Sequence, residues 1–346
     1  MGFLDLSKEI YQYGIEPVHK KWSLSSVGYI PRTASQEIDT DIFEPPMLLV
    51  KETVNTHLES ISAISLQQLL FTDKITSIKI HRKNNINLYR NIAGLINSSL
   101  FAYYILMSSS TVGIMIEQQV NDEERFSFPY LYSQKIVNII EEIETQYSQS
   151  LKNLLRSDLD ISDAKGRINS YISKLFNLNY IEKDLLDYAV KIAIPTIMRH
   201  RIAPLLYRPI DIEDSEHILK NYINVYQQRF AKVFQKEGMY FSSRILYTPL
   251  YIGMIFEIKS SQNISQKSPV KIEDATNKTD LWNNIIALSA NQVTNRLFVQ
   301  KDIRGFTSDS FYIFKPNEKR LWHRAIAHMD VNEFADAMLK TGRETL

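Results

Sequence analysis

LYRNIAGLINSSLFAYYILMSSSTVGIMIEQQVNDEERFSFP, residues Leu88 to Pro129, decides how the rest of the chain is read. Ile92, Leu95, Ile96, Ser99, Leu100, Tyr103 and Leu106 recur at helical spacing, so its first half predicts one helix with a buried face. Ser108, Ser109, Ser110 and Thr111 compete for backbone hydrogen bonds and are expected to end that helix. A polar segment from Gln118 to Arg125 follows, and Phe128-Pro129 closes the stretch before another helix.

Upstream, the pattern changes from helix to strands and loops. Pro45 and Pro46 hold the chain extended into a short apolar strand, Met47 to Val50. Ile78 and Ile80 alternate as a second strand, which turns through His81, Arg82, Lys83, Asn84 and Asn85. Arg82 and Lys83 suit phosphate or guanine contacts, and Asn84 or Asn85 could pair bidentately with adenine, the residue mix that direct readout needs. The structural alternative is a basic hairpin turn without a ligand. Gln118 and Gln119 offer the same chemistry after the Ser-rich break, with Asp122, Glu123 and Glu124 expected on the solvent side.

Downstream, Ser133 to Leu155 predicts a long helix with Ile136, Ile139, Ile140 and Ile143 at core spacing. Arg167 to Val190 predicts further helices. Pro195, Pro204 and Pro209 mark a boundary between Ala193 and Pro209, where Arg199, His200, Arg201 and Arg208 make a basic segment suited to a DNA backbone or an unliganded surface. Beyond it the pattern is α+β. It predicts a helix from Ser215 to Lys236, strands Tyr240–Tyr247 and Leu250–Ile258, and an exposed polar insert from Ser260 to Asp280. A helix follows from Asp280 to Ala290, then strands Leu297–Ile303 and Ser310–Phe314 around an Arg304-Gly305 turn, then a last helix, Glu318–Lys340, capped by Asn317.

The run from Gly94 to Phe101, with Tyr103 and Tyr104, the Ser-Ser-Ser-Thr exit and Phe128-Pro129, resembles the target-recognition domain of bacterial amino-group DNA methyltransferases. These are the type I specificity subunits and the fused type IIG enzymes. IFEPPMLLVKE (Ile42 to Glu52) and LLFTDKITSIKI (Leu69 to Ile80) resemble that family's first strands, and RINSYISKLFNLNYIEKDLLDYAV (Arg167 to Val190) is similar to its following helices. Glu44-Pro45-Pro46-Met47 departs from the catalytic loop of such enzymes, which has Asp or Asn before the prolines and an aromatic after them.

The resemblance implies an α/β recognition domain over 1–150, a helical connector over 151–195 and an α+β docking domain over 196–346. It implies a non-catalytic specificity subunit of a restriction-modification or phage-defence complex, bringing sequence recognition to a methyltransferase or nuclease partner on double-stranded DNA. Arg82, Lys83, Asn84, Asn85, Gln118, Gln119, Arg199 and Arg201 are the expected DNA contacts. The alternative from another class is an assembly scaffold without DNA readout.

Composition bounds these expectations. The chain has 346 residues, 44% hydrophobic and 23% charged, with a net charge of +1, so nucleic-acid binding must come from local patches. With no cysteine there is no disulfide, thiolate metal site or cysteine nucleophile, which fits a reducing cytoplasm. The start, MGFLDLSKEIYQYG, lacks a basic segment followed by an apolar core, so no export signal is expected, although Met1 to Val18 suits a short docking helix. No apolar run reaches the length of a membrane span.

The ten glycines form no nucleotide-binding pattern, so no cofactor is expected. Glu37, Asp39, Asp41 and Glu44 could meet a divalent cation, but no second ligand cluster follows, and a solvated loop is the expectation. His323 and His328 are five apart, a poor spacing for zinc on one helix face. Glu257-Ile258-Lys259 matches a fragment of metal-dependent nucleases without the upstream Asp, which makes a nuclease the remaining enzymatic alternative.

Overall fold

The computed structural model describes residues 43–69, 71, 74–80, 85–114, 118–152, 161–233, 239–260, 270–274, 302–306 and 310–344. Expectations for Met1 to Val18, for Glu37, Asp39 and Asp41, for Arg82 to Asn84, for Asp280 to Ala290 and for Leu297 to Lys301 fall outside these residues. The described part is α+β: helices combined with two sheets that are antiparallel at all pairings except one. The chain divides into two compact units, Met1–His200 and Arg201–Leu346.

In the first unit, β1 (Met47–Lys51) lies between β2 (Ser62–Ser65) and β3 (Ile75–Ile78). Its apolar run splits by the period of two. Leu48 and Val50 enter the main core beneath the helices, while Met47 and Leu49 pack with Leu69, Phe71 and Ile75 on the opposite face.

The helix predicted from residue 88 is two helices, α1 (Ile86–Ile96) and α2 (Ser99–Ser108). Asn97 and Ser98 break it because their side chains take over backbone groups. Asn97 Nδ2 donates to the Ala93 carbonyl at 2.8 Å and to Ser62 Oγ at 2.6 Å. Ser98 Oγ donates to the Leu95 carbonyl at 2.6 Å and accepts from the Phe101 amide at 3.2 Å, so it caps α2. After a capped short helix α3 (Asp122–Phe126), α4 (Gln134–Lys152) packs against α1. A Cβ placed on Gly94 would lie 2.3 Å from Ile136 Cγ2, so the two backbones approach where only glycine fits.

Helix α5 (Ser162–Leu175) joins α2 through Asn169, which accepts from the Ser99 amide and donates to Ser99 Oγ, each at 2.9 Å. The helix α6 (Tyr180–Tyr188) starts from a capping box of Asn179 and Glu182 and continues through a π-helical turn, Ala189–Ala193, into α7 (Ile194–Ile197). Pro195 therefore sits inside a continuous helical path. The widened turn just before it relieves the backbone position that proline disrupts, so the break expected there comes later, at Arg199 with φ 53°.

In the second unit, α8 (Ala203–Leu206) precedes α9 (Ile212–Tyr226), which extends through a π turn, Gln227–Ala231. The sheet has the order β6-β4-β5-β8-β7. Strands β4 (Met239–Tyr247) and β5 (Tyr251–Ser260) form the predicted hairpin. The polar insert is not wholly loop: β6 (Val270–Asp274) pairs parallel to β4. Arg304-Gly305 is not a turn either, because both lie in β7 (Ile303–Phe306), antiparallel to β8 (Ser310–Pro316). Glycine at 305 admits the Tyr312 ring from the next strand, as Gly253 admits that of Phe314.

The last helix, α10 (Arg324–Glu344), starts later than predicted, after a 3₁₀ turn at Lys319–Leu321. Asn317 is not its cap, because its side chain is committed elsewhere: Oδ1 accepts from the Ile210 amide at 2.9 Å and Nδ2 donates to the Thr248 carbonyl at 3.0 Å. Helices α9 and α10 bury one sheet face with Tyr222, Tyr226, Phe241, Phe256, Phe311 and Trp322. Among the described residues no helix is long and apolar enough to cross a membrane.

Gly94→Ala should destabilise the protein by about 1–3 kcal/mol, because the buried Ile136 beside it is branched at Cβ and has little room to yield. A urea midpoint equal to that of the parent would contradict this packing.

Candidate nucleic-acid interface

Of the residues expected to meet DNA, Asn85 is exposed but its Oδ1 accepts from the Asn87 amide at 3.0 Å as the cap of α1. Gln118 is only 1% exposed. Its Nε2 donates to Thr111 Oγ1, to Ser109 Oγ at 3.2 Å and to the Gln119 carbonyl at 3.1 Å, which closes the loop after α2 and removes this amide from the surface. Gln119 is exposed, and its backbone bridges Thr53. Arg199 and Arg201 are exposed.

The second unit adds cations that sequence spacing does not connect. The Lys319 amide donates to the Arg208 carbonyl at 3.2 Å, so residues 207–208 and 319–320 run side by side. The Arg320 guanidinium stacks over the Tyr207 ring, 4.3 Å from its centroid, while Glu318 Oε2 accepts from Arg320 Nε at 2.7 Å. Arg208 is exposed and Lys319 half-buried, and neither makes an ion pair among the described residues. Asn317, 2% exposed, anchors this surface through Ile210 and Thr248, and its own amide donates to the Leu250 carbonyl at 2.8 Å. The basic run around Arg208 was visible in the sequence; its pairing with Lys319-Arg320 rests on long-range bonds that no local pattern encodes.

Two further clusters carry titratable groups. In the first unit His57 and His200 meet edge to face, with ring centroids 4.3 Å apart, and His200 Nε2 bonds the Thr56 carbonyl. Burial holds the His57 pKa below its ordinary 6.5, with His200 and Lys165 acting in the same direction and Glu59 opposing them. Glu59 is itself paired with Lys165.

In the second unit the Asp330 carboxylate, 4% exposed, accepts from Lys315 Nζ and Tyr222 Oη at one oxygen and from Arg304 Nη2 at the other, the last at 2.7 Å. Lys315 Nζ also lies 5.4 Å from the Tyr222 ring centroid and 5.8 Å from that of Trp322. Burial pushes the Lys315 ammonium down and the Tyr222 hydroxyl up, so tyrosine remains a donor to the carboxylate. A lysine with 4% of its side chain exposed is closed to a substrate, and this centre is a structural one.

Glu257 and Lys259, the nuclease-like fragment, stand on the same side of β5 and pair at 2.7 Å, with Arg244 3.5 Å from the carboxylate. Two cations thus neutralise the group that would hold a metal, and among the described residues no three acidic, histidine or cysteine side chains gather around one point. His323 precedes α10, its Nδ1 accepting from the Ala325 amide at 3.1 Å, while His328 lies within the helix.

Asp330→Ala should cost about 3–5 kcal/mol, because it leaves the Lys315 charge buried without its carboxylate. Exchanging the pair together, Lys315→Met with Asp330→Leu, should recover most of that loss in thermal melts; equal losses for single and double variants would contradict a charge-pair origin. Because the His57 pKa is depressed on folding, its contribution to stability is complete above pH 6.5 and is lost as pH falls through the depressed value. His57→Gln should therefore flatten the acid side of the stability curve, and an unchanged slope of urea midpoints against pH would count against a burial-depressed His57.

No family model, curated protein or solved structure matches the chain.

Proposed function

We propose that the chain is a non-catalytic DNA-recognition subunit of a restriction-modification or phage-defence complex, working in the cytoplasm and serving a methyltransferase or nuclease partner. The observation that carries this reading is the exposed basic segment from Arg199 to Arg208, in which Arg199, Arg201 and Arg208 all face solvent without an ion pair among the described residues. Cations left free in this way suit phosphates, whose neutralisation releases counterions. In this reading Met1–His200 holds the target-recognition-like part and its helical connector, and Arg201–Leu346 the α+β docking part. Gln119 remains available for base contacts; Gln118 does not.

A second reading, an assembly scaffold, is favoured by apolar surface on the first unit. Met107 and Ile114 are 68% and 80% exposed, and Ile197, 41% exposed, lies against Gly113. Exposed apolar side chains of this kind would suit a protein partner if they gather on one face.

Binding of duplex DNA measured over a series of salt concentrations separates the two. Arg199→Ala with Arg201→Ala should lower the magnitude of the salt slope by about two, close to one per lost phosphate contact, for every sequence tested. Duplex binding with an unchanged slope would exclude this segment from the interface. No binding at low salt, alone or with the catalytic partner, would favour the scaffold.

A further inference from the structure

We infer that Tyr207, with Arg208, Lys319 and Arg320, forms a subsite for an unstacked nucleotide, its base on the tyrosine ring and its flanking phosphates on the cations. The inference rests on the nucleic-acid reading above and specifies which form of nucleic acid this surface takes. Four observations carry it.

The first is charge. Among the described residues the ion pairs of Arg208, Lys319 and Arg320 involve one carboxylate, Glu318, which is engaged with Arg320 Nε. Arg208 and Lys319 themselves make no ion pair among the described residues, in a chain whose net charge is only +1. The second is the ring. Arg320 stacks at 4.3 Å from its centroid, yet Tyr207 remains 45% exposed, which leaves area for another flat group. An aromatic side chain carrying a guanidinium, beside further cations, combines the elements of a single-strand stacking platform.

The third is rigidity. Both segments of the platform are fixed close to the functional groups: the Lys319 amide to the Arg208 carbonyl, Asn317 to the Ile210 amide, Tyr247 Oη to the Ile210 carbonyl at 2.7 Å, and Trp322 Nε1 to the Pro316 carbonyl at 3.0 Å. Ordering a base on it costs little additional protein entropy. The fourth is selectivity. Bases in an intact duplex have both faces covered by neighbours, so a ring stack favours a single strand or a base displaced from its pair. An acidic peptide would use the cations and gain nothing from the ring.

The test uses the full chain and a fluorescent oligothymidylate of roughly 12 nucleotides, within the span of known single-strand sites. A duplex of the same length and polyglutamate serve as competitors, and melting temperatures show that each variant is folded. Tyr207→Ala should weaken single-strand binding roughly tenfold with the salt slope unchanged, whereas Tyr207→Phe, which keeps the ring, should bind like the parent. Arg208→Ala with Lys319→Ala should instead lower the slope by about 1.4, the single-strand value for two phosphates. If the parent binds DNA but Tyr207→Ala binds the single strand equally well, the subsite is overturned and the wider reading survives. If polyglutamate competes as well as the single strand, whatever residue 207 is, the surface is a general polyanion contact and the subsite is likewise overturned. If the parent binds neither form of DNA, the wider reading falls, and the subsite with it.

Discussion

Asp330 belongs to α10 and accepts from Lys315 on β8, Arg304 on β7 and Tyr222 on α9, so one carboxylate fastens the last helix to two strands and to the other helix. Charge and geometry depend on each other there. Lysine is held in a place that disfavours its ammonium because the carboxylate and two aromatic faces surround it. The same oxygens would be untenable without their three donors. Around this centre the aromatic layer closes, with Tyr226 stacked on Phe256 at 4.2 Å and Phe311 5 Å or less from both Phe256 and Phe334. Arg304 ties the strand β7 to this carboxylate and is also bound to Asp302.

The surface proposed for nucleic acid depends on that interior at one remove. Asn317 follows β8 directly, and its amide side chain reaches the segment before α9 and the turn between β4 and β5. It is this buried residue, with no direct part in ligand chemistry, that brings Arg208 and Lys319 alongside. Polar groups at such a point specify an arrangement because any other leaves a donor or acceptor without a partner.

How much of this was legible in the sequence depended on range. Helix α4 was legible because Ile136, Ile139, Ile140 and Ile143 repeat at one period, and the β4–β5 hairpin because both strands are long and apolar around a proline. The break between α1 and α2 was not, since Asn97 and Ser98 sit inside an apolar periodicity and act through side-chain bonds that a hydropathy pattern ignores. Strand β6 was hidden because Val270–Asp274 is short and polar and lies at a sheet edge. Asn317 carries the composition of a helix cap, and only the fold reveals its distant partners. For the candidate site, the run from Arg199 to Arg208 was readable as basic, but Gln118 looked equally suited to a groove until its burial placed it inside a loop. The His57–His200 contact joins positions too far apart in the chain for any spacing rule.

The π-helical turn at Ala189–Ala193 also absorbs a residue. Such a turn accommodates one residue more than an α-helical path of the same rise, and each residue in an α-helix turns the chain by about 100°. Removing one residue there would convert the turn to regular helix with the flanking segments still in phase, because the rotation that an extra residue would otherwise add is taken up inside the widened turn. The stretch between Asn179 and His200 therefore holds that extra residue within its helical path while His200 stays beside His57.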